Sequence, residues 1–333
     1  MIIMIVGLGS MGRRRIRLLK KYSSEFKLIG VDSNEERCRN VENEYQIKGY
    51  LTIEEACRCE KPTVAFVCTS PLSHANIIRL CLEENMHVFS ELNLVSTLYE
   101  DNIFKANENN KTLFLSSTFL YRKEIEYIGE QVHCSEERVN YVYHVGQYLP
   151  DWHPWENYKD FFVGEKETNG CREFMAIEFP WIMHVFGKIK GFYKVYDTMS
   201  RLEVNYPDNY LIMFEHENGN KGLIALDVVS RRAVRNLEIF GENLYITWDG
   251  TPEGLVQRTL NDKQDNKVLL YNEIDKRKEY CASIIEDAYY EEICNFFEVI
   301  SQEGQARYSF EKDKEVLEII NQIEDWSGKN EQE

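Results

Sequence analysis

The sequence predicts an α/β fold in two parts: an N-terminal doubly wound parallel sheet, then a C-terminal α+β region with an open, mainly antiparallel sheet. Three observations predict it. An apolar run at the start leads directly into a G-x-G-x-x-G turn. Strand-like and helix-like stretches then alternate to about residue 118, which implies right-handed crossovers between parallel strands. Beyond that point the pattern changes to alternating strands joined by tight turns. The expected boundaries are 1–118 and 119–333.

Met1 to Val6 is apolar throughout, as a strand covered on both faces should be. Gly7-Leu8-Gly9-Ser10-Met11-Gly12 follows. In a dinucleotide-binding turn Gly7 allows the tight bend, Gly9 lets backbone approach a pyrophosphate, and Gly12 lets the next helix pack on the strand. Gly12, Ile16 and Leu19 share one helical face. A second strand, Leu28 to Val31, ends in Asp32, 20 residues after Gly12, where a carboxylate should reach the adenosine ribose. Asp32 argues for NAD, because it repels a 2′-phosphate, while Ser33 and Arg37 leave NADP open. Arg13, Arg14 and Arg15 form a basic patch on the first turn, read either as phosphate neighbours or as a solvated face.

Further along come a helix with Cys38, Val41 and Tyr45 on one face and a short helix from Ile53 to Cys59. A strand, Thr63 to Cys68, ends at Thr69-Ser70-Pro71, and a helix near His74 places Ile77, Ile78, Cys81 and Leu82 inward. His87-Val88-Phe89 is a strand ending at Ser90-Glu91-Leu92-Asn93, and Leu113 to Ser116 closes the unit. Ligands bind outside the carboxyl ends of such strands, where Gly7–Gly12, Thr69–His74 and Glu91 all fall. In the second part, residues 139–148 alternate as a strand. Tyr210–Phe214 and Leu223–Val229 flank the hairpin signal Asn218-Gly219. Leu237–Phe240 pairs with Leu244–Trp248, and more strand is expected near Lys267–Tyr271. Helices at about 288–301 and 312–326 follow, the first burying Ile293, Phe296, Phe297 and Ile300.

A length of 333 residues allows one large or two ordinary domains. A formal charge of −17 makes nucleic acid and anionic membranes poor partners. No segment has the length of a membrane span, and the apolar start is too short for a secretory signal. Nine scattered cysteines include no C-x-x-C, so no metal site is expected and reduced thiols in the cytoplasm are.

The chain resembles the Gfo/Idh/MocA oxidoreductases over nearly its whole length. The resemblance rests on GLGSMG, on TSPLSHANI at 69–77, on MHVFSELNL at 86–94 and on TNGCREFMAIEFPWIMHVFG at 168–187. It implies a Rossmann domain followed by a domain whose open sheet often forms a homodimer or homotetramer contact. Thr69, Ser70, Pro71 and His74 then fall in the loop around the cofactor. Glu91 matches the glutamate of the family's E-K-P motif near the nicotinamide ribose. Leu92 stands in place of the motif's lysine. Anchored on Gly187, the second motif (G-G-x-x-x-D-x-G-x-H) puts its aspartate at Glu173 and its histidine at Ile177, or at Glu178 if the register slips by one. Two usual proton-handling side chains are thus absent from their usual places.

The family's chemistry, hydride transfer between a carbohydrate and nicotinamide, needs a proton carrier. Glu173 is one candidate, since a desolvated carboxylate has a raised pKa. Its other reading is a partner for Arg172 or a lysine. Glu173 and Glu178 would point about 140° apart on a helix. His153 is another candidate, in the aromatic stretch Gln147 to Tyr158. There Trp152, His153 and Trp155 suit either stacking on a sugar ring or packing on the core or an oligomer contact. Arg172 is a candidate fork for a substrate carboxylate or phosphate. His184 has core-flanking spacing. The implied activity is NAD(P)-dependent reduction or oxidation of a sugar, sugar acid or nucleotide-sugar. The 146–187 stretch resembles members from surface-polysaccharide or sialic-acid-like sugar biosynthesis. The missing lysine and histidine also admit a non-catalytic dinucleotide-binding sensor, and a third reading keeps a nicotinamide bound through turnover.

Overall fold

The computed structural model describes residues 1–152, 157–261, 263–275 and 284–325. Two compact units emerge, Met1–Ser117 with Tyr289–Leu317, and Thr118–Ala288 with Glu318–Glu333. The chain thus leaves the first unit and returns to it.

In the first unit, strands and helices alternate as β1 (Ile2–Val6), α1 (Ser10–Tyr22), β2 (Lys27–Val31), α2 (Glu35–Tyr45), β3 (Lys48–Tyr50), α3 (Ile53–Glu60), β4 (Val64–Val67), α4 (Pro71–Glu83), β5 (His87–Ser90), α5 (Tyr99–Glu108) and β6 (Leu113–Leu115). The strands form one parallel sheet in the order β3-β2-β1-β4-β5-β6. All four residues of β4 are buried, because helices cover both faces of such a sheet. The order reverses between β1 and β4, so the crevice at their carboxyl ends is the binding position of this architecture. Pro71 opens α4 three residues before the expected start, since its fixed φ and missing N–H suit a first helical position. Ile77 is only half-buried, whereas Ile78, Cys81 and Leu82 lie in the core.

The second unit contains α6 (Lys123–Cys134), β7 (Asn140–Gly146), α7 (Gly170–Phe186), β8 (Ile189–Asp197), β9 (Asn209–His216), β10 (Lys221–Asp227), β11 (Val234–Phe240), β12 (Tyr245–Trp248), β13 (Val256–Thr259) and β14 (Gln264–Lys267). Its sheet runs β14-β13-β12-β11-β7-β10-β9-β8. It is mixed: β7 and β10 pair in parallel, and every other pair is antiparallel. The hairpin at Asn218-Gly219 forms, with Gly219 at φ +87°. The last strand ends at Lys267 rather than Tyr271. β9 alternates buried and exposed residues, with Tyr210, Ile212 and Phe214 inward and Leu211 and Met213 outward. The inner face packs on α7, which is apolar almost all round.

Two helices complete the chain, α8 (Glu286–Ile300) and α9 (Phe310–Ile323). Phe296 of α8 stands edge-on to Phe66, Phe89 and Phe114 of the parallel sheet, with ring centroids 5.4–5.5 Å apart. The division between units falls within both helices.

Candidate functional site

The G-x-G-x-x-G turn leaves β1 at the crevice. Gly7 sits at φ +91°, which few other residues adopt. A Cβ at Gly12 would lie 1.9 Å from the Gly7 carbonyl oxygen, so only glycine lets α1 start so close to β1. Gly9 faces open space, with nothing within 4 Å of where a Cβ would be. Ser10 and Met11 begin α1, which has neither a side-chain cap nor an acidic residue in its first turn. By contrast α2 is capped by Asn34 and opens with Glu35 and Glu36. The bare α1 terminus therefore has N–H groups and dipole available to an anion. These are the features a pyrophosphate needs: clear approach at Gly9 and unsatisfied donors beside it.

Asp32 ends β2 with its carboxylate turned back on the turn. It accepts hydrogen bonds from the backbone N–H of Leu8 at 2.8 Å and of Asn34 at 2.9 Å. One carboxylate thus fixes the glycine turn while keeping acceptor capacity for ribose hydroxyls. Arg37 lies 3.6 Å from Asp32, and Ser33 is exposed. The β4 end meets the same crevice. Carbonyl oxygen of Cys68 and the Thr69 methyl would lie 2.7 Å and 2.9 Å from a Cβ on Gly7. The turn and the Thr69–His74 loop are therefore brought together, with Ser70 and Pro71 leading into α4.

His74 is buried, one ring nitrogen 2.9 Å from the Thr69 carbonyl oxygen and the other 2.7 Å from the Asn93 side chain. Burial pulls its pKa below the usual value, so the ring is neutral and donates to Thr69. The other ring nitrogen faces Asn93 Oδ1. His74 holds the loop rather than a ligand.

Glu91 follows β5 and is gripped by Arg15 of α1. Arg15 Nε and Nη2 donate to its two oxygens at 2.5 Å and 3.1 Å. Nη2 also donates to Glu292 of α8 at 2.8 Å, and Nη1 to the Tyr289 carbonyl at 3.1 Å. Arg15 is wholly buried. Burial would lower its pKa, but Glu91 and Glu292 outweigh that and raise it. This corrects the reading of Arg13–Arg15 as one surface patch. Arg14 is buried too and lies over the Tyr289 ring, and only Arg13 is partly exposed.

The second candidate cluster lies in the second unit, around α7. Asn169 caps this helix, accepting from the Arg172 N–H at 2.8 Å. Glu173 is half-buried as a residue, yet its Oε2 is sealed from solvent with no hydrogen-bond partner among the described residues. Burial pushes its carboxyl up to about 7, with Arg235 partly opposing the rise. One turn on, Glu178 is fully buried and saturated by the Tyr143 hydroxyl at 2.8 Å, the Trp181 indole at 2.6 Å and Arg235 Nε at 3.0 Å. The two glutamates diverge as expected, but Arg235, which sequence reasoning missed, influences both. Glu173 is thus poised to change protonation state near neutral pH.

Arg172 does not present a free fork. It is 1% exposed, ion-paired with Glu324 and bonded through Nη2 to Asn321 at 2.6 Å. Its charge is spent tying α7 to the end of α9, so the substrate role read from sequence is corrected to a structural one. Trp152 donates its indole N–H to the Gln147 carbonyl at 3.1 Å and stands edge-on to Phe174, with centroids 4.8 Å apart. His153 and Trp155 lie outside the described residues. His184 is exposed on α7. Leu92 and Ile177, both partly exposed, have no titratable group to offer.

Among the described residues no helix is long and apolar enough to cross a membrane. Residues 1–116 match the oxidoreductase family with an NAD-binding Rossmann fold, GFO_IDH_MocA. Biliverdin reductase A of Mus musculus is 38% identical over 91 residues, a stretch covering 27% of this chain and only 29% of that protein. Solved structures match over far more of the chain. GenD2 of gentamicin A biosynthesis, in complex with NAD, has a TM-score of 0.78 at 15% identity, covering 99% of this chain and 95% of its own. The WlbA dehydrogenase from Bordetella pertussis, in complex with NADH and UDP-GlcNAcA, has a TM-score of 0.75 at 11% identity over 96% and 94%. UDP-N-acetylglucosamine 3-dehydrogenase from Acidithiobacillus ferrooxidans has a TM-score of 0.74 at 16% identity over 97% and 96%. At those identities the likeness is one of fold. With the glycine turn, the matched N-terminal residues and the shared architecture together, residues 1–116 carry the NAD-binding Rossmann fold of the GFO_IDH_MocA oxidoreductase model, and the chain as a whole shares the fold of these dehydrogenase structures.

Proposed function

We propose that this protein is an NAD(P)-dependent oxidoreductase acting at a hydroxyl or carbonyl carbon of a sugar, sugar acid or nucleotide-sugar. The observation that carries the reading is the cradle at the β1–β4 crevice: an open Gly9, an uncapped α1 and Asp32 locked beside them. Gly7, Leu8, Gly9, Ser10, Met11 and Gly12 would hold the pyrophosphate, Asp32 the ribose, and Thr69 to His74 the neighbouring wall. When bound, the nicotinamide supplies the hydride acceptor or donor. The chain must handle the proton. Glu173 is the group suited to it, because its value of about 7 lets it both take and release a proton near neutrality. Glu91, held on both oxygens by Arg15, is better suited to orienting a cofactor hydroxyl than to moving a proton.

The carbohydrate class is supported by the nucleotide-sugar dehydrogenases among the structural neighbours. A role in surface-polysaccharide or sialic-acid-like sugar biosynthesis is the narrower form of the same proposal. All eight cysteines among the described residues are free thiols, which supports a reducing compartment such as the cytoplasm. The outer face of the second sheet supports a homodimer or homotetramer. Val142, Leu223, Met213 and Tyr193 lie side by side across β7, β10, β9 and β8, exposed from 40% to 75%.

The test is a titration with NADH and NADPH, then turnover of nucleotide-sugars, uronates and nonulosonic acids followed at the reduced-nicotinamide absorbance. In the oxidising direction Glu173 must be deprotonated, so kcat/KM should rise with pH through about 7 and level off. Glu173→Gln should lower kcat by about 10²- to 10⁴-fold and abolish that limb. Tight cofactor binding with no turnover of any of these substrates would favour a second reading, a dinucleotide sensor, for which Leu92 and Ile177 in place of lysine and histidine are the motivating observation.

A further inference from the structure

The segment joining β10 to β11 contains Arg231 and Arg232, both exposed. In a chain with 56 acidic and 39 basic residues, surface arginines should readily find carboxylates. These two form no ion pair among the described residues. Instead the central carbon of the Arg231 guanidinium lies over the Tyr148 ring, 3.6 Å from its centroid. A guanidinium held over an aromatic face in this way keeps N–H groups available to an oxyanion.

The base of this feature is rigid. Asp227 Oδ1 accepts from the N–H groups of Val229 at 2.9 Å and Ser230 at 2.6 Å, which clamps the chain just before the arginines. The Tyr148 segment is tied alongside, with Leu149 N–H bonded to the Val228 carbonyl at 2.9 Å. Both meet the start of α7: a Cβ on Gly170 would lie 3.0 Å from Val228, 3.1 Å from Leu149 and 3.3 Å from Trp152. From there the Trp152 ring contacts Phe174, the residue after Glu173. Within one unit, therefore, packed residues lead from Arg231 to the first turns of α7, the helix that carries Glu173.

We propose that Arg231, with Arg232 beside it, binds an anionic group of the substrate, a carboxylate or a diphosphate, while Glu173 serves the reacting carbon. The inference rests on the oxidoreductase reading above and narrows its substrate class to acidic sugars or nucleotide-sugars. An oxyanion would take two parallel N–H bonds from the guanidinium fork.

The test uses the full chain with NADH present and four probes: UDP, UDP-N-acetylglucosamine, glucuronate and N-acetylglucosamine. Calorimetry should show at least one anionic probe binding more than tenfold tighter than N-acetylglucosamine, and binding should weaken with salt. Preference for UDP or for glucuronate tells a diphosphate from a carboxylate. Arg231→Gln with Arg232→Gln should weaken the preferred probe about 10- to 100-fold. Arg231→Lys should fall between, and Arg39→Gln on α2 should have no effect. Equal binding of anionic probes to the wild type and the double variant would overturn the proposal, as would no preference for anions in the wild type. Turnover of a neutral sugar that survives the double substitution would sink this inference and leave the oxidoreductase standing. Arginine-dependent UDP binding with no turnover of any sugar would instead count against the enzyme reading.

Discussion

Removing the Arg15 guanidinium should cost the first unit a large share of its stability. The group is fully buried and donates to two carboxylates, Glu91 and Glu292, at 2.5–3.1 Å. In Arg15→Met the side-chain volume stays similar, but two like charges face one another in the core without a cation. Breaking a buried pair in this way costs about 3–5 kcal/mol, against a total of about 5–15 kcal/mol for a domain. With a urea slope of about 2 kcal/mol per molar, the midpoint should fall by about 2 M. The sign of the pH dependence follows from Glu292. Burial already raises its pKa above the usual 4.5, with Arg15 opposing the rise, so losing Arg15 raises it further. The folded variant then holds a proton that the unfolded chain releases. Its stability is therefore greatest below the unfolded value and falls as pH rises through the folded one. The deficit relative to wild type should be larger at pH 8 than at pH 5. Adding Glu292→Gln removes one of the opposed charges and should restore part of the loss. Far-UV circular dichroism is the right probe, because the tryptophans, at 152, 155, 181, 248 and 326, all fall outside the first unit. A loss below about 1 kcal/mol at pH 8, or one that is the same at both pH values, would refute the argument.

Other expectations follow from the same geometry. Gly12→Ala places a methyl 1.9 Å from the Gly7 carbonyl and should disturb the turn, whereas Gly9→Ala leaves the apo fold intact and weakens NADH binding, measured by fluorescence titration. Asp32→Ser removes both the negative charge and the Leu8 tether, so the NADPH-to-NADH affinity ratio should rise at least tenfold, with some loss of thermal stability. Tyr193→Lys, at a site 75% exposed, should lower the oligomeric state seen by light scattering without changing the melting temperature of the monomer. Arg172→Met should destabilise the second unit by about 3 kcal/mol rather than raise KM, since its charge meets Glu324 in the interior.

The parallel sheet was readable because its signals are local. The apolar run, the three glycines and Asp32 stand at spacings that only one turn geometry satisfies. The alternation of β9 and the Asn218-Gly219 hairpin were equally plain. What failed to read were partnerships between residues far apart in sequence. Nothing local tells that Arg15 meets Glu292 across 277 positions, or that Arg172 is claimed by Glu324. Both look like ordinary helix-surface charges. The parallel pairing of β7 with β10 was hidden for the same reason: alternation shows which face is buried, not the direction of the neighbouring strand. Glu173 was legible as a position through the family motif, but its orphaned oxygen is a property of packing alone.

The return of the chain to its first unit has a consequence for biogenesis. During synthesis the parallel sheet emerges with residue 117, but the helix that covers Phe66, Phe89 and Phe114 and brings Glu292 to Arg15 arrives only with residues 289–317. At about 5–20 residues per second, roughly 10–40 s separate the two events. Throughout that interval the nascent Rossmann unit bears an uncovered aromatic patch. Its final closure is therefore post-translational in character, and the growing polypeptide would be a natural client for ribosome-associated chaperones.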